Sequence, residues 1–565
     1  MSDRNRSDRN TNIKGAAAAG KSSGGIIVQA GMLAAATIIV RIIGILYRAP
    51  LTAVIGDLGN GFYGTAFNIY TIILIVSSYG IPSAISKLMS QKIAVGEFRS
   101  AQKVFHAALL YAVIAGTVAS LFLYFGAPLL VPPGSVMVLR VFAPTIFLFG
   151  ILGALRGYFQ ANQTMAPTSI SQILEQIVNA AVSIGAAWLL IRQVSGQDET
   201  TRAQFGAAGS ALGTGAGVLA ALLFMLFIYL RSAGFYRERI RTDTRSREES
   251  FGAVMRATIL VITPFILSSF IMNLSTSLDQ TIYLKHMINV RGAEETAVTT
   301  INGLFSNKAV VICNIPISIA TAVSAAIIPH ISTSYARGMR RETKRRTVSA
   351  CRMTLLIAIP CAVGLGVLAR PVTMILFPQW ETLDLAAELL RAMALTVVLY
   401  SVSTITTAAL QATGKMAAPL IGAGIALAVQ TAALYAMLYL TKLDAYTLVW
   451  SSLLYALVIF IANEWFLTRH LKYRVNILKL YVKPTAASIV MGAAALGIYT
   501  VLMRLLDGPL AVYYANLIAC AAAILAAVVI YFFVLLKIGA ICAADIERFP
   551  GGRKLSGALR SAGWL

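Results

Sequence analysis

Runs of about 20 mostly apolar residues follow one another almost from end to end of this 565-residue chain, and no other feature limits its fold so tightly. A run of that length, coiled as an α-helix, matches the thickness of a bilayer. The runs are continuous rather than alternating in period two, which argues against a membrane β-barrel. With 58% of residues apolar and only 12% charged, a soluble fold of this size could not keep its apolar side chains from water. Fourteen spans are expected, at 26–47, 62–86, 104–126, 136–159, 165–191, 207–230, 253–284, 301–330, 348–369, 385–411, 416–440, 443–468, 483–503 and 510–536. The fold class is an all-α polytopic membrane protein.

The formal net charge is +24. In a soluble chain that balance would point to nucleic acid. Here the charge sits in short loops and no soluble basic domain exists, so the expected partner is anionic membrane lipid, with no nucleic acid. With the N-terminus placed inside, 35 of the 47 Lys and Arg face inward and 9 outward, leaving Arg41, Arg140 and Lys308 within spans. The bias predicts a multi-pass membrane protein with both termini cytoplasmic. Residues 1–24 read as a disordered basic cytoplasmic tail and 538–565 as a cytoplasmic C-terminal tail.

The five cysteines and four histidines are scattered, with no metal-ligand spacing and no disulfide framework. No cofactor or metal is expected. There is no GxxxxGK[ST], so ATP hydrolysis is not the drive. There is no DDxxD and no histidine cluster, which argues against a membrane enzyme of prenyl pyrophosphates.

The chain repeats itself. "FQANQTMAP" at 159–167 returns as "LQATGKMAAP" at 410–419, pairing Gln160 with Gln411 and Met165 with Met416. "VGEFRSAQK" and "RGMRRETKR" pair Gly96 with Gly338 in the same sense. Six spans separate the copies, an even number, so the repeats are parallel. This predicts an N-lobe at 25–235 (helices 1–6), a charged cytoplasmic linker at 236–252 and a C-lobe at 253–470 (helices 7–12). Helices 13–14 follow at 471–537. Two such lobes around a cavity are the plan of an alternating-access carrier, with binding residues near the midplane.

The segment "RGYFQANQTMAPTSISQILEQ" (156–176) resembles a signature of the stage V sporulation protein B group. That group lies within the multidrug/oligosaccharidyl-lipid/polysaccharide exporter superfamily. "RIIGILYRAPLTAVIG" (41–56) resembles the first helix of the MurJ-type lipid II flippases of the same superfamily. The resemblance implies a flippase for an undecaprenyl-pyrophosphate-linked peptidoglycan precursor, in cell-wall growth or sporulation. Other branches carry O-antigen or teichuronic-type repeat units, or export cationic drugs. It also implies coupling to sodium, protons or the membrane potential. Cell-wall synthesis enzymes are potential partners, and a monomer is expected.

The charged residues inside the spans carry the chemistry. Arg41 and Arg48 are seven residues apart, hence on one helix face and about 10 Å apart along the axis. Such a strip suits a diphosphate; the alternative is snorkelling to the interface. Lys308, beside Asn307, would add a cation from the second lobe, or else pair with Asp279. Arg156, near an inner helix end, would meet the incoming head group or pair with Glu175, or else simply follows the positive-inside bias. Gln172, Glu175, Gln176 and Asn179 follow i, i+3, i+4, i+7 spacing and form a polar face, for sugar hydroxyls or as a structural ladder. Asn68 completes the expected binding set. Asp279 is the candidate for holding a coupling cation or proton; helix 11 offers Gln430 beside it but no carboxylate.

Overall fold

The computed structural model describes residues 36, 39–44, 46–244, 246, 250–415, 417–441, 443–472, 477–506 and 511–539, all of them helix, turn or loop. The expected N-terminal tail, Met416 and nearly all of the C-terminal tail lie outside these residues. Sixteen α-helices follow in order. They are α1 (Arg48–Leu74), α2 (Ile81–Ala94), α3 (Phe98–Leu130), α4 (Pro133–Ala161), α5 (Ala166–Gln193), α6 (Glu199–Arg241), α7 (Phe251–Asn289) and α8 (Glu295–Gly303). Then come α9 (Val310–Ala336), α10 (Arg340–Val367), α11 (Ala369–Leu376), α12 (Leu383–Ala412), α13 (Ala417–Leu440), α14 (Tyr446–Leu471), α15 (Lys483–Leu506) and α16 (Val512–Lys537).

Among the described residues, twelve helical stretches are long and apolar enough to cross a membrane. Most of the first expected span lies outside the described residues; its end and most of the second fall in one stretch, Ile39–Ser78, and the seventh falls in α7. α1 is broken inside by Gly56, whose φ of 70° only glycine adopts readily.

The helices group into two compact units. The first takes residues up to Val54 and Ala66–Phe270; the second takes Ile55–Thr65 and everything from Ile271. In the first unit α4 is central and packs against α2, α3 and α6. Its core joins Ile81, Ile85 and Met89 of α2 to Phe105 of α3, Leu152 and Tyr158 of α4, and Met225 of α6. α5 and α6 lie together along small residues: Gly209, Gly213 and Gly217 recur every fourth residue, and a Cβ at Gly213 would strike Ser183. Close backbone approach of this kind holds membrane helices together where hydrophobic exclusion cannot. In the second unit α12 is central, against α9, α10 and α14, and α15 and α16 pair and lean on α10 and α11.

The sequence repeat reappears as turn geometry. After α4, Gln163 has φ 58°, Gln163 N–H donates to Gln160 and Thr164 N–H to Phe159. After α12, Gly414 has φ 81°, donating to Gln411, with Lys415 donating to Leu410. Gly96 and Gly338, at φ 84° and 72°, close α2 and α9 with a second matched pair of bonds. These are left-handed helix caps, which satisfy the last carbonyls of a helix.

Gly414→Ala and Gly338→Ala should each cost about 1 kcal/mol in thermal unfolding of the purified chain, the strain of a Cβ in the left-handed region. Gly424→Ala, in regular helix with nothing near an added Cβ, should be neutral or stabilising. A second prediction concerns Asp198, which caps α6 by accepting from the Thr201 hydroxyl at 2.7 Å and the Thr201 N–H at 3.0 Å. These bonds, the hydroxyl's first, hold its carboxyl below the usual range. The cap is at full strength above the unfolded carboxylate value of about 3.9. It is lost as pH falls through the lower folded value. Amide exchange at Thr201 should therefore quicken only in acid, and at all pH values in Asp198→Ala.

Candidate functional site

The break at Gly56 puts Asp57 at the start of a new helical segment, and that carboxylate meets Lys308. Lys308 lies in a π-helical turn, Leu304–Ala309, between α8 and α9. Wide turns of this kind are often found at functional positions. The Lys308 ammonium is 2.7 Å from Asp57 Oδ1, and the two side chains are 1% and 9% exposed. It also donates to Gln379 Oε1 at 3.0 Å and to Thr382 Oγ1 at 3.4 Å, and stands 5.6 Å from the centre of the Phe377 ring. The Thr382 hydroxyl in turn donates to Asp57 Oδ2. An ammonium has three protons, and here three acceptors surround it.

Neighbouring bonds fasten the same two stretches. Asn307 Nδ2 donates to the Asn60 carbonyl at 2.7 Å, and Asn302 Nδ2 to Thr65 Oγ1 at 3.2 Å. The backbones are so close that a Cβ on Gly303 would lie 2.8 Å from the Gly61 nitrogen. The partner expected for Lys308, Asp279, is therefore replaced by Asp57. Asp279 is nearer in sequence, but its carboxylate is taken up elsewhere.

Asp279 is buried on α7. Its Oδ2 accepts from Ser451 Oγ at 2.6 Å and from the Gln430 amide. The Gln430 carbonyl is turned away, accepting from Ser275 at 2.7 Å. Asp279 Oδ1 has no hydrogen-bond partner among the described residues. Donors thus converge on this carboxylate, whereas a bare cation requires several oxygens turned inward. Among the described residues no three His, Cys, Asp or Glu side chains group as metal ligands. As placed, the donors at Oδ2 hold the ionised carboxylate, and Oδ1 is its open position.

In the first unit Arg156 and Glu175 pair at 2.7 Å, and Arg156 Nε donates to Ser171 at 3.0 Å. Arg156 is buried by this pairing. On α5, Gln172, Glu175, Gln176 and Asn179 are all half-buried. Gln172 Oε1 lacks a partner among the described residues, while Asn179 accepts from Ser183 at 2.9 Å. A Cβ on Gly44 would come 3.2 Å from Gln176 Nε2, so the stretch bearing Arg41 and Arg48 runs beside α5. Arg41 is exposed and forms no ion pair among the described residues; Arg48 and Asn68 are half-buried.

Asp57, Gln379 and Thr382 are the residues that sequence reasoning missed. The signal was scarcity: with only 23 Asp and Glu in the chain, an acid beside an apolar run has a task.

Comparison with known proteins agrees with this architecture. A family model described as "Polysaccharide biosynthesis protein" matches residues 27–335, and one described as MatE matches 264–436. The lipid II flippase MurJ of Bacillus subtilis (strain 168) is 25% identical over 490 residues, 82% of this chain and 85% of that protein. Stage V sporulation protein B of the same organism is 28% identical over 333 residues, 58% of this chain and 61% of that one. A solved structure of lipid II flippase MurJ in an inward closed conformation shares the fold, with a TM-score of 0.61 at 15% identity. It covers 90% of this chain and 98% of its own.

The Lys308 environment has a stability consequence. Lys308→Met should cost about 3–5 kcal/mol, because it strands a buried carboxylate. Adding Asp57→Asn should recover most of that loss. Thermal unfolding in lipid nanodiscs reads both, and a single variant as stable as the parent would remove the pair from the structural account.

Proposed function

The chain belongs to the polysaccharide biosynthesis protein family, within the multidrug/oligosaccharidyl-lipid/polysaccharide exporter superfamily, and from that premise we propose that it is a flippase for lipid II. It carries this undecaprenyl-pyrophosphate-linked peptidoglycan precursor from the inner to the outer leaflet of a bacterial cytoplasmic membrane by alternating access. The observation that carries the reading is the reach of the similarity to a lipid II flippase, over 85% of that protein's length.

The chemistry supports it residue by residue. Arg41 is the cation most open to a diphosphate, being exposed and without a carboxylate partner among the described residues. Arg48, one helix face along, extends the strip. Gln172 brings an unmatched amide oxygen suited to a sugar hydroxyl. Lys308 and Arg156 are held by carboxylates, so each acts on the cargo only by exchanging its acid for phosphate. Asp279 is the group through which a coupling cation or proton acts, at the Oδ1 that has no hydrogen-bond partner among the described residues.

The family description also favours a second cargo, another lipid-linked polysaccharide repeat unit on the same prenyl pyrophosphate. Labelled lipid II in reconstituted vesicles separates the two. The unaltered chain should move lipid II, and Arg41→Ala should slow it at least about tenfold, the worth of one charge-assisted contact. Lys308→Met with Asp57→Asn, which should recover most of the stability, tests the Lys308–Asp57 pair apart from a folding defect. Movement that survives Arg41→Ala would overturn the binding assignment. No movement of lipid II, with movement of a different undecaprenyl-pyrophosphate saccharide, would hand the site to the second cargo.

A further inference from the structure

Of Arg41, Arg140 and Lys308, the cations counted to neither side of the membrane, Arg140 is the one the flippase reading does not use. It sits on α4, two turns beyond Pro133, and it is exposed. Around it the surface is apolar: Leu121, Phe125, Leu129 and Met137 are all exposed on the same pair of helices, the face of the first unit that lipid covers. Among the described residues Arg140 forms no ion pair. A guanidinium in that setting is costly unless something answers its charge.

Part of the answer lies in α3. Pro128 is inside that helix and has no N–H, so the carbonyl four residues back, that of Tyr124, lacks its helical donor. Arg140 Nε donates to the Tyr124 carbonyl at 3.4 Å, and its guanidinium carbon stands 5.5 Å from the centre of the Tyr124 ring. A side chain thus repairs a proline break within the membrane. This repair uses Nε, and neither terminal nitrogen forms a hydrogen bond among the described residues. Arg140 and Tyr124 border an open groove of about 450 Å³, lined also by Pro133, Val136, Met137 and Val141.

Depth decides what enters that groove. α4 has 29 residues, or about 43 Å, against a hydrocarbon core of about 30 Å. Shared between its two ends, the excess puts the Arg140 backbone only about 4 Å inside the hydrocarbon edge. The long side chain then brings its head to the level of lipid phosphates.

We propose that the α3–α4 groove is a binding site for the anionic phosphodiester of a membrane phospholipid of the phosphatidylglycerol type. The lipid comes from the leaflet that the turn between α3 and α4 borders, with the terminal nitrogens of Arg140 on the phosphate. The planar fork of arginine matches two phosphate oxygens at once, and no acid competes for it among the described residues. The lipid chains lie along Val136 and Met137. The site is separate from the cargo site.

The test must part this role from the repair of the Tyr124 carbonyl. Pro128→Ala gives that carbonyl a helical N–H again, so Arg140 is no longer needed for the backbone. The full chain is purified and its retained lipids are counted by native mass spectrometry, with phosphatidylglycerol and phosphatidylcholine offered together. The parent and Pro128→Ala should both prefer phosphatidylglycerol. Pro128→Ala with Arg140→Gln should fold as well as Pro128→Ala yet hold one phosphatidylglycerol fewer, its preference at that site falling about tenfold. An unchanged preference in the double variant would overturn the proposal. Displacement of the lipid by millimolar inorganic phosphate would overturn the choice of a lipid over a soluble phosphate.

Discussion

No charge and no backbone polar group can be left unanswered in hydrocarbon, and that constraint shapes every feature that sets this chain apart from a bundle of apolar rods. Lys308 meets it with a carboxylate, an amide and a hydroxyl. Arg156 meets it with Glu175 and Ser171 across the turn between α4 and α5. Arg140 meets it in part with a carbonyl that a proline has freed. Arg41 is exposed and forms no ion pair among the described residues. The cations therefore sort by how completely the chain itself satisfies them, and that ordering separates structural charge from charge available to a cargo.

The same demand accounts for the repeat. The two copies share few residues, yet both α4 and α12 end in a left-handed cap with the same pair of backbone bonds. A helix that ends at the membrane surface leaves carbonyls without donors, and the cap supplies them. One copy uses Gln163 and the other Gly414 at the strained position, so the geometry outlasts the residue that best suits it. Both capped helices are also the central ones of their units. A misplaced end there would shift every helix packed around them.

Much of this was legible in the sequence, and the reasons differ by residue. Helical spans follow from apolar runs alone. Arg156 and Glu175 could be paired because a short turn forces neighbouring helices together. The partner of Lys308 was not legible, because Asp57 lies 251 positions away and only tertiary packing brings it near. Nearness in the chain favoured Asp279, which the structure places among Ser451 and Gln430 instead. The Tyr124 carbonyl was recoverable in principle, since Pro128 marks it by a fixed offset of four. That Arg140 would be the residue to answer it was not recoverable, because the register of α3 against α4 is set by packing.

Lysine rather than arginine at 308 is itself informative. Three acceptors enclose an ammonium without remainder, whereas the five donors of a guanidinium would leave two buried and unmet in the same space. Residue choice thus fits the enclosed pair more closely than it fits a bidentate grip on diphosphate. The segment that holds Asp57 follows directly on the Gly56 break, where α1 is least able to resist a change of direction. Opening that corner would release both charges together, and an anion arriving with two negative oxygens would replace the carboxylate at little cost in charge. Under the proposed function, a diphosphate would reach Lys308 only by taking the place of Asp57.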